Sequence, residues 1–579
     1  MKVIDPLPSS LKVLNGADIY THGYLPVAAA YCQKLGLIDL VNEMVSSQME
    51  LKPGLIVQAM VLDTLSGRTP LYRLMDFMAQ QDVELLLGTA ADPSDFHDTT
   101  LARALDAIFE SGPSKIVSAL GRRAVQEFSL DTNTVSYDTT STNVWGDYNI
   151  CELEDFDRGP DITHGHSKDN QPQLKQFMTE LLCVDRGVPI FSSILDGNSS
   201  DKTSSNKILS QISTIMAKNG LGPGAFVFVG DSAMIFENNL KQVDPNLFVS
   251  RLPATYCECA RAIEDAVNSN QWVDLGCLAQ IPTKGNRPSA TYKVFETAVS
   301  LYEKNYRALV VHSSSHDKRR KKKLEKTITR SAQSLTDDLS KLPLQFYCEA
   351  DAIAAAQHIE TFSKKLHTVK TKITTHQVRK PGRPPVNRAA VTNTLYTITF
   401  ELVLNTEAVE REKQLAGCFV LLSNIPIDGD AGMDSKKLFL TYKGQYCVES
   451  DFAFLKDPLI VNDIFLKKPH RIDALGMILV IALMVYRLME RTMRMYLKET
   501  KTDLIGWEKR KTDKPTSFML SAVMFGIMVV KCSGNRIFLH PPNSRQSDYL
   551  AALGLTTEVF LSPSFKCKPL IAANQEEKG

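Results

Sequence analysis

Glu449 and Lys456 stand seven residues apart in GQYCVESDFAFLKDP, residues 444 to 458. In a helix, seven steps of about 100° bring two side chains to nearly the same side. Tyr442 and Gln445 fall within roughly 20° and 40° of Glu449 on that helix. Beside this polar stripe runs an apolar one, Val448, Phe452, Leu455 and Leu459, suited to docking on a core. On an isolated helix a carboxylate and an ammonium so placed are a solvated face. Two further acids change the reading. Asp138 lies inside the β-branched run NTVSYDTTST, and Asp231 ends AFVFVGD. The run AFVFV is apolar at every position, as in an interior strand covered on both faces. An acid at the carboxyl end of such a strand emerges into the crevice where α/β sheets place their chemistry. Alternation puts Ser136, Asp138, Thr140 and Thr142 on one face of their strand, and Val135, Tyr137 and Thr139 on the other. Taken singly, each aspartate reads as a cap or turn residue.

Two strand carboxylates and one helix carboxylate together make a site for two hard divalent cations. Mg²⁺ or Mn²⁺ takes oxygen ligands from a few carboxylates and from substrate phosphate. Two such ions about 4 Å apart activate water or a 3′-hydroxyl and steady the leaving oxygen of a phosphodiester. In that setting Glu449 completes the metal site and Lys456 meets a DNA phosphate.

The elements that must position these groups are legible in outline. Residues 20 to 128 carry apolar residues at i, i+3 and i+4 in successive segments that end near Gly, which predicts an all-helical N-terminal domain over 1–130, a support or a DNA-end contact. There, Asp98 with Thr99 and Thr100 reads as an N-cap. From Asp131 strands and a helix alternate, so 131–254 reads as the first part of a mixed α/β catalytic core. Residues 255–434 hold further strands, a charged helix from HDKRRKKKLEK, and a basic connector; they read as an insertion separating Asp231 from Glu449. Residues 435–500 return to the core, with Asp434 or Ser435 capping the Glu449 helix and Pro469 starting a long apolar helix. Residues 501–579 read as a C-terminal helical region and tail.

Composition limits the function classes. A chain of 579 residues with 44% hydrophobic and 23% charged residues is globular and multidomain. Its net charge is +1, so any nucleic-acid contact must come from local basic patches. The eleven cysteines are scattered singly, without a C-x-x-C pair, which fits a reducing compartment. The N-terminus lacks a signal-peptide core, and the run ALGMILVIALMVY, Ala474 to Tyr486, is short of the roughly 20 residues that span a bilayer. A cytoplasmic protein without a membrane segment is expected.

The pattern Tyr442-x₂-Gln445-x₃-Glu449-x₆-Lys456 is similar to the Y-x₂-R-x₃-E-x₆-K signature of a large group of bacterial insertion-sequence DDE transposases. SYDTTST, GHSKDNQPQLKQF, DGNSSDKTSSN, FVGDSAM, RLPATY and VESDFAFLKDP resemble the family's successive blocks, over about residues 20 to 495. The resemblance implies a ribonuclease-H-like core interrupted by a strand-rich insertion. It implies catalytic and metal-binding acids at Asp138, Asp231 and Glu449, and signature positions at Tyr442, Gln445 and Lys456. It also implies Mg²⁺ or Mn²⁺, double-stranded DNA as partner (element terminal inverted repeats and target), and a homodimer or higher assembly on DNA. Gln445 departs from the signature arginine and brings no charge to phosphate. Two other readings stay open: a transposase-derived DNA-binding protein that has lost cleavage, and a related metal-dependent nuclease.

Two basic segments are further DNA candidates. From Thr361 to Arg388 there are eight Lys or Arg and no acid. Within it RKPGRPP, with Arg379, Lys380 and Arg383, resembles an AT-hook, whose arginine suits a narrow A·T minor groove; a Pro-rich linker explains it as well. Lys318 to Lys323, with Arg319 and Arg320, reads as a solvated helix face that can neutralise phosphates. His164-x-His166 reads as a turn or phosphate contact.

Overall fold

The computed structural model describes residues 17–67, 69–146, 148, 159–218, 222, 225–243, 246–278, 289–379, 392–457, 466–563 and 565. The fold is mixed α/β, and the chain divides into two compact units: Met1–Ser250 with Leu438–Gly579, and Arg251–Lys437.

The first unit opens with a short strand, β1 (Asp18–Thr21), and the helices α1 (Leu25–Lys34), α2 (Leu37–Met44), α3 (Pro53–Leu65), α4 (Leu74–Ala79), α5 (Val83–Leu87), α6 (Asp98–Ser111) and α7 (Pro113–Glu127). Pro at the start of α1, α3 and α7 fits their first turns, where its missing N–H costs nothing. The cap of α6 is His97, whose ring accepts from the Thr100 N–H at 3.3 Å; Asp98, the expected cap, instead accepts from its neighbour Thr99. Sheet strands follow: β2 (Thr134–Val144), β3 (Lys175–Val184), β4 (Val188–Leu195), then α8 (Asp201–Ala217), β5 (Val227–Gly230), α9 (Glu237–Val243) and β6 (Leu247–Arg251). Their order across the sheet is β4-β3-β2-β5-β6. The first three are antiparallel, while β5 joins β2, and β6 joins β5, in parallel.

The second unit contains α10 (Cys257–Ser269), β7 (Val273–Cys277), β8 (Thr291–Leu301), β9 (Lys304–Ser313), α11 (Ser314–Leu339), β10 (Gln345–Phe346), α12 (Glu349–Glu360), β11 (His367–Arg379), β12 (Thr392–Leu404), α13 (Thr406–Leu415) and β13 (Cys418–Ser423). Its strands run β13-β9-β8-β7, with a separate sheet β10-β12-β11. Leu339, Ile359, Val369 and Ile398 form the small core under that second sheet. The expected connector at 361–388 is not a linker where it is described: residues 367–379 are β11, antiparallel to β12 along its whole length. Thr368, Val369, Thr371, Ile373 and Thr374 supply the β-branched side chains that favour a strand, and the lysines between them obscure that pattern in the sequence. Lys380 and Arg383 lie outside the described residues.

Back in the first unit come α14 (Ser435–Lys443), α15 (Tyr446–Leu455) and α16 (Pro469–Thr500), then β14 (Leu504–Ile505), β15 (Lys511–Thr512), α17 (Ser517–Met524), β16 (Met528–Cys532), β17 (Asn535–Phe538) and α18 (Ser544–Ala552). Helix α16 is the centre of this unit: it packs on α1, α3, α6, α7, α18 and β4. Among the described residues it is the one helix long and apolar enough to cross a membrane, yet 83% of its apolar window is buried inside the protein. Close approach is arranged by glycines. A Cβ on Gly121 would lie 2.6 Å from the backbone of Ile190 on β4, and one on Gly476 would lie 2.7 Å from the side chain of Ile194.

Two expectations are corrected here. The N-terminal region is not all-helical, because β1 pairs with β16, more than 500 residues later in the chain. The C-terminal region is not simply helical either, since it supplies β14 to β17. Short strands such as DIYT carry no periodicity of their own; the partner defines them. Both regions also belong to the same compact unit as the sheet.

Candidate active site

The parallel pairing of β2 with β5 places Thr134 opposite Val227, Val135 opposite Phe228 and Ser136 opposite Val229. Two residues beyond the last pair come Asp138 on β2 and Asp231 just past the end of β5. The two aspartates therefore stand at the same height on adjacent strands, which lie about 4.8 Å apart. Both are half-buried. Asp138 Oδ1 accepts from the Thr139 N–H at 2.7 Å. Asp231 Oδ1 accepts from the Ala233 N–H at 3.0 Å, forming the turn that ends β5, and the Ser250 hydroxyl donates to the Asp231 carbonyl at 2.6 Å. These bonds hold the strand ends in place.

Helix α15 lies against β2 and α16. Leu455 lines a small void with Thr142, Phe177 and Thr179. Thr142 is four residues from Asp138 on the same face of β2, so α15 covers the face that bears Asp138. Its buried residues are Val448, Asp451, Phe452, Phe454 and Leu455. Glu449 is on the exposed flank of the helix, roughly 60° round from Phe452. Among the described residues no three His, Cys, Asp or Glu side chains form a group that could hold a metal ion. Structurally, then, Asp138 and Asp231 are brought side by side, and Glu449 is brought to a helix over the same sheet without closing a triad.

The stripe expected on one helix is broken. Between α14 and α15, Gln445 N–H bonds to Tyr442 O, Cys447 N–H to Gly444 O and Val448 N–H to Gln445 O, all three residues back. A turn of i→i+3 bonding advances about 120° per residue instead of 100°. Tyr442 and Gln445 are thereby rotated off the line through Glu449 and Lys456. Asp434 caps the preceding helix through Lys437 N–H at 2.6 Å.

Lys456, at the end of α15, is held by Asp169 at 2.8 and 2.9 Å. The neighbouring Lys168 donates to the Thr139 carbonyl at 2.6 Å and the Thr139 hydroxyl at 3.0 Å, placing a cation one residue from Asp138 along β2. Asn143 at the far end of β2 reaches Asp169 at 3.5 Å. The sequence predicts a turn or phosphate contact at GHSKD; in the structure its Lys168 and Asp169 tie that segment to β2 and α15. The signal available was two adjacent opposite charges in a polar block between strands. His164 and His166 are exposed.

Behind α15 the support is ionic. Arg487 on α16 donates to Asp451 at 2.6 Å, to Glu490 at 2.8 Å and to the Ser450 hydroxyl at 2.8 Å. Asp451 is fully buried and also accepts from the Cys183 thiol on β3 at 3.5 Å. Across β2 and β3, the Tyr137 hydroxyl donates to Glu180 at 2.9 Å, and burial pushes the Glu180 carboxyl up to about 7.

Of the basic candidates, Lys318, Arg319 and Arg320 are exposed on α11, as is Arg379 at the end of β11.

Against known families, residues 17–121 match a domain of unknown function, DUF4277. That span runs from β1 into α7. No curated protein matches the chain.

Proposed function

We propose that the protein is a DDE transposase, cutting DNA at the ends of an insertion sequence and joining the freed 3′-hydroxyls to target DNA. The observation that carries this reading is the pair Asp138 and Asp231, level on adjacent parallel strands beneath the helix that bears Glu449. An antiparallel β4-β3-β2 meander extended by parallel β5 and β6 supports a ribonuclease-H-like core. The DUF4277 stretch supports it too, since that domain is common in transposase-like proteins.

The two aspartates fit hard divalent cations: they are neighbouring oxygen donors beside strand hydroxyls. Bound there, Mg²⁺ or Mn²⁺ would supply activation of the attacking hydroxyl and charge neutralisation at the leaving oxygen. Asp138 and Asp231 would be the ligands set by the sheet, with Glu449 the third acid from the helix. Lys168 and Lys456 sit at the rim, where a phosphate can replace Asp169 as partner of Lys456.

A second reading is a DNA-binding descendant without cleavage, favoured by the absence of a three-acid group among the described residues. A metal-dependent nuclease would share the acids but lack strand transfer. The deciding experiment incubates the protein with DNA carrying the element's own termini in Mg²⁺ and analyses the 3′ ends. Cleaved and joined ends support the transposase, cleavage alone supports the nuclease, and binding without either supports the inactive descendant.

A further inference from the structure

The Arg251–Lys437 unit contains a cavity of about 670 Å³ that the transposase reading does not use. That volume lies within the range of about 300–1,000 Å³ typical of small-molecule sites. Helices and turns build it. Helix α11 presents Arg320, Lys323, Leu324, Thr327 and Ser331, at offsets of three, four, seven and eleven residues from the first, so that they form one stripe. Helix α10 adds Cys259, Ile263 and Glu264, the turn before β11 adds Lys364 and Lys365, and α13 with the start of β13 adds Glu412, Leu415 and Phe419.

The lining has two chemistries. Five cations (Arg251, Arg320, Lys323, Lys364 and Lys365) face only two acids, Glu264 and Glu412. Lys365 is paired with Glu412. Among the described residues Arg320, Lys323 and Lys364 have no ion-pair partner. The rest is apolar: Leu252, Ile263, Leu324, Leu415 and the Phe419 ring, over which the Arg251 guanidinium sits at 5.0 Å. Cations without partners beside an apolar floor match an anion with a flat apolar body. Duplex DNA is a poor match, because it offers a rod of phosphates, one charge per about 1.7 Å of axis, and would leave the floor empty. Bases, by contrast, stack on aromatic rings and guanidinium planes.

We infer that this cavity binds a free nucleoside phosphate, with the base on the Phe419–Leu324 floor and the phosphates on Arg320, Lys323 and Lys364. The inference does not depend on the transposase reading.

Titration calorimetry of the full-length protein with ADP tests it, with inorganic pyrophosphate and a single-stranded oligonucleotide as comparison ligands. ADP should bind at least about tenfold more tightly than pyrophosphate, since the apolar floor adds to the charge contacts. The double variant R320A/K323A should weaken ADP at least about tenfold. Thr327→Trp, which fills the cavity from an exposed helix position without altering charge, should weaken ADP equally while leaving the melting temperature in place. Failure of ADP to bind, pyrophosphate binding as tightly as ADP, or unchanged affinity in folded Thr327→Trp would each overturn the proposal. So would displacement of ADP by the oligonucleotide at lower concentration, which would make the cavity part of a DNA path.

Discussion

The two units of this chain differ in where they place their basic side chains, although the second also holds an inward pair, Arg307 with Glu296. In the unit that holds Asp138 and Asp231, several charged side chains are drawn inward and paired. Asp82, with a fully buried side chain, is bonded by Arg536 at 2.6 Å and Lys531 at 3.1 Å, which joins α5 to the C-terminal strands. Asp106 on α6 takes Arg471 and His470 at the start of α16, and Asp451 takes Arg487. In the Arg251–Lys437 unit, the run Lys318 to Lys323 lies exposed on α11, and its one ion pair among the described residues, Lys321 with Asp317, is a surface i,i+4 contact. Buried pairs fix geometry, because removing one partner strands a charge in low dielectric. Exposed cations contribute little to stability and remain available to a polyanion. On the proposed function, the first unit would position the chemistry and the second would offer binding surface.

The largest test of that separation is chemical. Asp138→Asn or Asp231→Asn should lower cleavage of end DNA by at least about a hundredfold, with binding in Ca²⁺ retained. Wild-type cleavage by either variant would remove the aspartate pair from the active site.

Next in size is the ionic support. Asp451→Ala removes one of the two buried carboxylates that hold Arg487, leaving Glu490 in place, and should cost about 1.5–3 kcal/mol in urea unfolding at pH 7. A cost below about 1 kcal/mol would show that Asp451 does not hold α15 on the sheet.

A pH-dependent effect follows from Glu180, raised to about 7 by burial despite the Tyr137 hydrogen bond. The folded chain keeps a proton that the unfolded chain releases near about 4.3. Stability from the neutral carboxyl is thus complete below about pH 4.3, falls as pH rises through about 7, and is level above. Glu180→Gln should be more stable than wild type at pH 8, by at most about 4 kcal/mol, and nearly equal to it at pH 4. Equal stability at both pH values would mean that Glu180 is ionised in the folded protein.

In the other unit, replacing Lys318, Arg319 and Lys322 by alanine should leave the melting temperature unchanged and reduce the salt slope of DNA binding by up to about 3, roughly one for each phosphate that is no longer neutralised. An unchanged slope would make α11 a solvated face and erase the contrast. The smallest change in stability should come from Lys456→Ala: its pair with Asp169 is partly exposed and worth about 0–1 kcal/mol. Its effect should appear in affinity for DNA ends instead, measured by fluorescence anisotropy; equal affinity would leave Lys456 a purely structural contact.

What the sequence by itself determined is local. Alternation in SYDTTST and the apolar run AFVFV were sufficient for β2 and β5, and the apolar stretch after Pro469 was sufficient for a buried α16, because side-chain periodicity repeats within a few residues. Tertiary structure alone decided the rest. The pairing of β1 with β16 and the reach of Asp169 to Lys456 join residues hundreds of positions apart. The level register that sets Asp138 beside Asp231 depends on how two separate strands slide past each other. The turn at Gly444–Gln445 shows the same limit at short range: a single helical period ran through the sequence, and i→i+3 bonding interrupted it where α15 meets the sheet. Periodicity says which face of an element is apolar; only packing against another element says what that face meets and at what height.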